Sequence, residues 1–147
     1  MAYYRLVFLE GTRAELEPLA VELTAFSVRL ATDRGIDLLA PPFARYAAVI
    51  SSPTHYRISQ ALGRAMREAG VEAFRYRAAR DPAGGAAIAA FTPAAFAERR
   101  PRTLTSWRCT ATREAVELWS RDYFRRAAVG FSRRQFLVGG QLPAPAA

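Results

Sequence analysis

Lysine and asparagine are absent from this sequence of 147 residues, and histidine and cysteine occur once each. Without lysine, the chain cannot form a Schiff base with a carbonyl substrate or carry the lysine of a phosphate-binding loop. His55 and Cys109 lie 54 positions apart and cannot complete a zinc site. A single cysteine also excludes an internal disulfide, which is typical of a reducing cytoplasm. We therefore predict no metal and a cytoplasmic location.

Long apolar runs are missing as well. No stretch approaches the ~18 to 20 apolar residues of a membrane-spanning helix, so we predict no membrane partner. The first residues lack the small-residue cleavage site of a signal peptide. Any serine or cysteine nucleophile would have to use His55 as its base. We place His55 in the first turn of a surface helix and Cys109 on a strand, and interpret them as a surface histidine and a packed cysteine.

Arginine supplies all 21 basic residues and gives the chain a net charge of +8. The charge is uneven, because residues 1–50 sum to −1 and residues 51–147 sum to +9. Such a basic half could bind nucleic acid, a phosphorylated cofactor or an acidic partner, or it could be a solvated face. Hydrophobic residues make up 51% of the chain, which is enough for one domain with a packed core.

The most informative stretch is 72–91, EAFRYRAARDPAGGAAIAAF. Its first part alternates large and charged side chains with the period of a β-strand. Residues 81–85 then predict a turn, and 86–91 predict a short strand whose small side chains would let it lie buried. The arginines of this stretch stand beside a glycine-rich turn whose backbone N–H groups could also reach an anion such as phosphate. They are Arg75, Arg77 and Arg80. A plain turn between two strands is the alternative.

The whole pattern predicts a single α+β domain with a mixed, mostly antiparallel sheet and flanking helices. Residues 1–9 fit a strand or, through Ala2, Leu6 and Leu9, one side of a helix. The other predicted elements are a polar link (15–19), a strand (21–30), a short apolar segment (36–39), a helix capped at Ser51, Ser52 or Thr54 and closed by Gly70, a helix start at Thr92 docked by Phe96, and paired strands (104–110 and 115–119). The domain would span 1–138, and 139–147 would form a flexible tail.

Two sets of apolar side chains are predicted to pack inward. The helix stripe consists of Ile58, Ala61, Leu62, Ala65, Met66 and Ala69. The aromatic set consists of Phe74, Tyr76, Phe91 and Phe96. Tyr76 could instead stack on a flat ligand ring and use its hydroxyl for a polar contact.

Several segments follow one another in a recognisable order. They are 34–38 (RGIDL), Pro41-Pro42, a helix ending in 69–73 (AGVEA), 76–82 (YRAARDP), Gly84-Gly85, Thr92-Pro93, Trp107 on a strand, and 136–138 (FLV). In this order they resemble the RES domain, a family of toxins from bacterial toxin–antitoxin pairs. The resemblance implies a fold similar to ADP-ribosyltransferases and NAD as substrate. It also implies an antitoxin protein as partner, and we expect no nucleic-acid partner.

By this resemblance, the activity would be that of an NAD glycohydrolase, an NAD phosphorylase or an ADP-ribosyltransferase. NAD offers a diphosphate to arginine, a flat nicotinamide to an aromatic ring, and a labile bond whose oxocarbenium-like transition state a carboxylate stabilises. The contacts with NAD would be Tyr76, Arg80, Gly84 and Gly85, with Arg5 near the family's carboxylate.

The residues that name the family, an arginine, a glutamate and a serine, are missing or altered. The family's Tyr-x-Ser-x-Arg segment reads YRAAR at 76–80, so Ala78 stands at the serine position. Loss of that hydroxyl costs about 1–3 kcal/mol if it bonds only the bound substrate, or of order 10² to 10³ in rate if it acts in the transition state. The glutamate would lie at or just before Met1, and the arginine further upstream.

We therefore expect a toxin-like RES protein that is impaired or inactive as it stands. The uncapped first element favours a chain that is incomplete at its amino terminus. Ala78 favours a degenerate homologue, because a misassigned start codon cannot explain it. The alternatives are a non-catalytic basic interaction module using the arginines of 99–134 and a degenerate remnant that binds a protein partner.

Overall fold

The structure is a computed structural model that describes residues 1–12, 18–122 and 126–144. Its helices and strands are, in chain order, α1 (Ala2–Gly11), β1 (Leu19–Ser27), β2 (Gly35–Asp37), α2 (Ala47–Ile50), α3 (Arg57–Glu68), β3 (Ala73–Arg77), β4 (Ala86–Ala90), β5 (Thr103–Ala111), β6 (Ala115–Ser120) and β7 (Ala128–Ser132). Short 3-10 helices cover Ala44–Tyr46, Pro93–Ala95 and Arg133–Phe136. The predicted α+β class with mostly antiparallel strands is confirmed. Most of the predicted polar link at 15–19 lies outside the described residues.

The chain folds as two compact units. The terminal unit comprises Met1–Ser27 and 101–144, and the central unit comprises Val28–Arg100. The terminal unit holds an antiparallel sheet in the order β1-β5-β6-β7. The central unit holds a sheet in the order β2-β3-β4, in which β2 is parallel and β4 antiparallel to β3.

The first segment of the terminal unit is a helix, which settles the ambiguity of residues 1–9. Leu6 and Leu9 of α1 are 1% and 0% exposed, because a spacing of three residues puts both on the same side of the helix. They belong to one apolar cluster with residues of β5, β6 and the last 3-10 helix. Its members are Ala2, Tyr3, Leu6, Leu9, Cys109, Ala111, Val116 and Phe136. The prediction of a packed Cys109 on a strand is confirmed.

In the segment predicted as a flexible tail, residues 139–141 are exposed, and Leu142 and Pro143 pack against the rest of the terminal unit. The chain reverses after Val138, which forms an isolated β-bridge with Gln141. Pro143 is buried, and its carbonyl accepts a hydrogen bond from the buried Tyr3 hydroxyl. Leu142 packs against the apolar cluster. Residues 145–147 lie outside the described part, and the domain boundary at 138 stays a prediction.

Strand β3 lies at the centre of the second sheet and alternates as predicted. Phe74 and Tyr76 are half-buried, whereas Arg75 and Arg77 are exposed on the other face. The Phe74 ring lies 5.0 Å from the Phe91 ring, centroid to centroid. The Arg67 guanidinium of α3 lies 4.8 Å from the Phe91 ring centroid. The aromatic face of β3 is therefore the face toward α3.

Three predictions about packing in the central unit are wrong. Strand β4 is not buried, because Ile88 is 58% exposed at its centre. Phe96 does not dock the segment that starts at Thr92: it is 43% exposed, and the fully buried Ala95 packs instead. The apolar stripe of α3 is buried only at Met66, and Ile58 is 54% exposed.

The start of α3 also differs from the prediction. The helix begins at Arg57, and no side chain caps it. The Ser52 hydroxyl accepts hydrogen bonds from the His55 and Thr54 backbone N–H groups in a turn ahead of the helix. This competing local bond is the reason that the capping signal is displaced from the first helical turn. His55 is exposed, as predicted, but precedes the helix.

The cap at Thr92 is confirmed, since its hydroxyl accepts a hydrogen bond from the Ala94 N–H at 3.3 Å. The paired strands predicted at 104–110 and 115–119 are confirmed as β5 and β6, with Trp107 on β5. In the described part of the chain, no helix is long and apolar enough to cross a membrane.

Candidate functional site

The residues that the sequence placed around a ligand begin at the end of β3. Tyr76 is half-buried on the α3 side of the sheet, and Ala78 follows directly after the last residue of β3. Ala78 still pairs with β4, because its N–H donates to the Gly85 carbonyl at 2.9 Å. Since side chains two positions apart project to one face, Ala78 lies on the same side as Tyr76.

Arg80 is held beside the start of α3. Its Nη2 donates to the Tyr56 hydroxyl at 2.6 Å, and this hydroxyl donates to the Pro53 carbonyl at 2.7 Å. Tyr56 is the residue immediately before α3. Arg80, Tyr76 and the α3 start thus lie on one side of the central sheet. The half-buried guanidinium has a fixed position there, which suits recognition of a negatively charged group.

The glycine-rich turn is organised by Asp81. Its carboxylate accepts hydrogen bonds from the N–H groups of Ala83 and Gly85, each at 2.9 Å, and its carbonyl accepts one from the Gly84 N–H at 2.8 Å. The backbone donors that were predicted to reach an anion are therefore bonded within the turn. A carboxylate at this place also repels a second anion.

Gly84 has a structural role that requires glycine. Its φ is +66°, in the left-handed region that glycine adopts without a steric penalty. The Arg77 guanidinium lies directly over it, since a Cβ built on Gly84 would be 2.8 Å from Arg77 Nη2. The turn therefore positions an arginine side chain on the exposed face of β3, opposite to the Tyr76 face.

That exposed face carries a shallow groove of about 400 Å³. Arg75 lies in it and pairs with Asp37 of β2 at 3.3 Å. Ile88 of β4 stands opposite Arg75 in the ladder and lines the same groove. Neither Tyr76 nor Arg80 lines this groove. Arg75 and Arg77 lie on the exposed face of β3, whereas Arg80 is bonded to Tyr56 beside α3, so the predicted arginines are not brought together.

Arg5 lies on α1 in the terminal unit, whereas the other predicted ligand contacts lie in the central unit. It is half-buried. Its Nε atom is buried and has no hydrogen-bond partner among the described atoms. A buried donor of this kind is costly unless a ligand or water satisfies it.

Comparison with known families decides the identity of this chain. The model of the RES domain matches residues 1–112, which include Arg5, Tyr76, Ala78 and Arg80. The chain belongs to the RES domain family. The resemblance read from the sequence is confirmed by this match. A search of curated proteins finds no match.

Within this RES domain, the sequence did not single out two residues that shape the site. Tyr56, the partner of Arg80, lies 24 positions earlier in the chain, and no local pattern connects the two. Asp81 was assigned only to the turn, although an aspartate before Pro-x-Gly is a known signal for a side chain that bonds the following backbone N–H groups.

The basic segment 99–134 of the RES protein is partly neutralised. Arg121 pairs with Glu22 at 3.2 Å, and Arg133 pairs with Glu10. Arg113 Nη2 donates to the Thr12 carbonyl at 3.2 Å. Arg125 lies outside the described residues. These contacts within the terminal unit reduce the charge that the segment offers to an acidic ligand.

No group of three or more histidine, cysteine or acidic side chains in residues 1–12, 18–122 and 126–144 is arranged to hold a metal ion. His55 is exposed, and its Nδ1 lies 2.9 Å from the Thr54 hydroxyl. Cys109 is fully buried in the apolar cluster. The absence of a metal in the functional protein stays a prediction.

Proposed function

We propose that this RES domain binds NAD on the α3 side of its central sheet and that it cleaves NAD poorly. The observation that carries the proposal is the common placement of Tyr76, Ala78 and Arg80, with the Arg80 guanidinium fixed 2.6 Å from the Tyr56 hydroxyl. Family membership supports NAD as the ligand. The activity that the family implies is NAD hydrolysis, NAD phosphorolysis or ADP-ribosyl transfer.

Arg80 binds the diphosphate in this proposal. A guanidinium offers donors in a planar fork that matches phosphate oxygens. Because Tyr56 restrains the side chain, binding immobilises little that was free before. Tyr76 lies on the same side and stacks on a flat ring, its hydroxyl making the polar contact.

Gly84 and Gly85 act indirectly. Their N–H groups are bonded to Asp81, so the turn serves to shape the end of β3 rather than to donate to phosphate. Arg5 lies in the terminal unit and stays a prediction outside this site; its buried Nε is a donor that an acidic group could satisfy.

Ala78 contributes to the poor cleavage in this proposal. It stands where the family's Tyr-x-Ser-x-Arg segment has serine, and a methyl group can neither accept nor donate a hydrogen bond. If this hydroxyl acts in the transition state, its absence lowers the rate by a factor of order 10² to 10³.

An antitoxin protein in the cytoplasm is the proposed partner. The family's association with toxin–antitoxin pairs supports it, and the +8 net charge favours an acidic one. The single cysteine supports the compartment.

Calorimetric titration with NAD tests the proposal. We expect saturable binding that Arg80→Ala weakens by about 10- to 100-fold, because a charge-assisted hydrogen bond is lost. Arg99→Ala is the matched control, since Arg99 is exposed in the same unit. Absence of saturable binding, or equal weakening by both variants, overturns the proposal.

A second experiment on the same purified protein tests the proposed role of Ala78. If the serine hydroxyl bonds only the bound substrate, Ala78→Ser should raise NAD affinity by about tenfold. If the hydroxyl acts in the transition state, Ala78→Ser should raise the rate of nicotinamide release by a factor of order 10². Ala79→Ser adds the same hydroxyl one position later at an exposed residue and should change neither quantity. If the two serine variants behave alike, Ala78 is not the cause of poor cleavage.

A further inference from the structure

Strand β4 is an edge strand of the central sheet, and one row of its backbone N–H and C=O groups points away from β3. Two hydrogen bonds fix the phase of the ladder: Ala78 N–H to the Gly85 carbonyl, and Phe91 N–H to the Glu72 carbonyl. In an antiparallel pair, alternate residues bond to the neighbouring strand. The backbone groups directed away from β3 therefore belong to Ala86, Ile88 and Ala90.

These outward groups are accessible. The three residues are exposed, and their N–H groups have no hydrogen-bond partner among the described residues. Folded proteins usually protect such an edge with charged side chains, proline or a covering element. Residues 86–90 contain no charge and no proline.

The edges of the other sheet carry such protection. On β7, the Ser132 N–H is bonded by the Gln135 side chain at 2.8 Å. On β1, Glu22 projects a charge and pairs with Arg121. Strand β4 has neither device, although it presents Ile88 with 58% of its surface exposed.

The sequence of β4 is the same in both directions, Ala-Ala-Ile-Ala-Ala. When two copies of such a strand pair in antiparallel orientation with Ile88 opposite Ile88, Ala86 lies opposite Ala90 at both ends. All outward groups then meet in register, which gives about six backbone hydrogen bonds. A two-fold interface requires this kind of self-complementarity.

We propose that β4 pairs with β4 of a second copy of this chain and joins the two central sheets into one continuous sheet of six strands. The two Ile88 side chains form the cross-strand pair at the centre and cover each other. An edge of this kind also accepts an extended strand from another protein. The palindromic sequence favours a second copy.

The charges near this edge permit the pairing. Arg75 stands beside Ile88 in the sheet, but Asp37 pairs with it. The β3 strands of the two copies would be three strand spacings apart, which is roughly 14 Å. This distance exceeds the Debye length of about 8–10 Å at ordinary salt, so repulsion between the arginine strands is screened.

Disulfide trapping tests the register directly. In the proposed pair, the two Ile88 Cα atoms lie about 5.5 Å apart, within the range that a disulfide spans. Ile88→Cys should therefore crosslink two copies under mild oxidation. Cys109 is fully buried and gives little background.

Two controls, each with one cysteine added beside the native Cys109, share this design. Ile58→Cys replaces an isoleucine of similar exposure on α3, and Ala90→Cys lies on the same edge, but its counterpart is Ala86. Neither should crosslink as Ile88→Cys does. Equal crosslinking of Ile58→Cys and Ile88→Cys overturns the proposal, and preferential crosslinking of Ala90→Cys overturns the register.

Sedimentation equilibrium of the unmodified chain gives the second measurement. We expect a monomer–dimer equilibrium whose dissociation constant rises about tenfold or more in Ile88→Lys, because two like charges then stand opposite each other. Ile58→Lys should leave it unchanged, and circular dichroism confirms that both variants are folded. If the unmodified chain stays monomeric, self-pairing is wrong. It is also wrong if Ile88→Lys leaves the dimer unchanged and weakens only the binding of a different protein.

Discussion

The two units of this RES domain bury their apolar residues to very different extents. In the terminal unit, α1 lies against β5 and β6 and closes a cluster of eight buried residues. The buried residues that the structure describes in the central unit are Leu38, Met66, Ala73 and Ala95. Two of these are alanines, which contribute little area. The proposed NAD site and the proposed pairing edge both lie in the unit with the thinner core.

The difference arises from the side chains that pack between each helix and its sheet. On α1, large side chains face the sheet, and Leu6 and Leu9 are nearly inaccessible. On α3, only Met66 of the apolar stripe is buried, and an arginine, Arg67, covers the Phe91 ring. Amphipathic periodicity therefore forms both helices, but it does not decide how much area each one buries.

The largest expected effect on stability distinguishes the core of the terminal unit from that of the central unit. Leu9→Ala removes a fully buried side chain from the terminal unit and should lower its free energy of unfolding by about 3–5 kcal/mol. Both tryptophans, Trp107 and Trp119, lie in this unit, so their fluorescence during urea unfolding reports on it alone. At a typical slope, the midpoint should fall by roughly 1–3 M.

Met66→Ala is the counterpart in the central unit. It should move the tryptophan-monitored midpoint much less than Leu9→Ala does, because Met66 lies outside the apolar cluster of the terminal unit. An equal shift of that midpoint by both variants would mean that the two units unfold together, and the contrast between their cores would lose its energetic meaning.

Local chemistry was predictable from the sequence, and the identity of packing partners was not. The alternation of β3, the turn at Gly84 and the cap at Thr92 depend on near neighbours, and all three are confirmed. The burial of β4 was predicted wrongly because small apolar side chains are compatible with a buried strand as well as with an exposed one. Whether a second layer lies over Ile88 depends on distant parts of the chain.

In the candidate site, too, local features were predictable and packing partners were not. Arg80 was recognised from its place after the strand and from the family motif, and Ala78 from the same motif. Tyr56 was missed because it meets Arg80 only through the packing of α3 against the sheet. The bonding of the turn amides to Asp81 was a local feature, and the Asp-Pro-x-Gly sequence was sufficient to predict it.

A second prediction concerns the turn that supports the site. Gly84→Ala should destabilise the central unit by about 1–2 kcal/mol, because φ is +66° and the new methyl group displaces the Arg77 guanidinium. Gly63→Ala, in the middle of α3 with nothing within 4 Å of the new atom, should stabilise by about 0.5–1 kcal/mol. Hydrogen exchange of the β3 and α3 amides measures both. Effects of the same sign for the two variants would contradict this account of the turn.

The smallest expected effect tests whether the central unit is as open in solution as its exposed α3 stripe indicates. Ile58 is 54% exposed, so Ile58→Gln, which keeps a good helix former, should change the free energy of unfolding by less than about 0.5 kcal/mol. Leu6→Gln makes a comparable change at a residue that is 1% exposed and should cost several times more, because a polar group is then buried without a partner. Thermal unfolding at several protein concentrations measures both. A loss above about 1 kcal/mol for Ile58→Gln, growing with concentration, would mean that another molecule covers the stripe, and the core of the central unit would then be completed between chains.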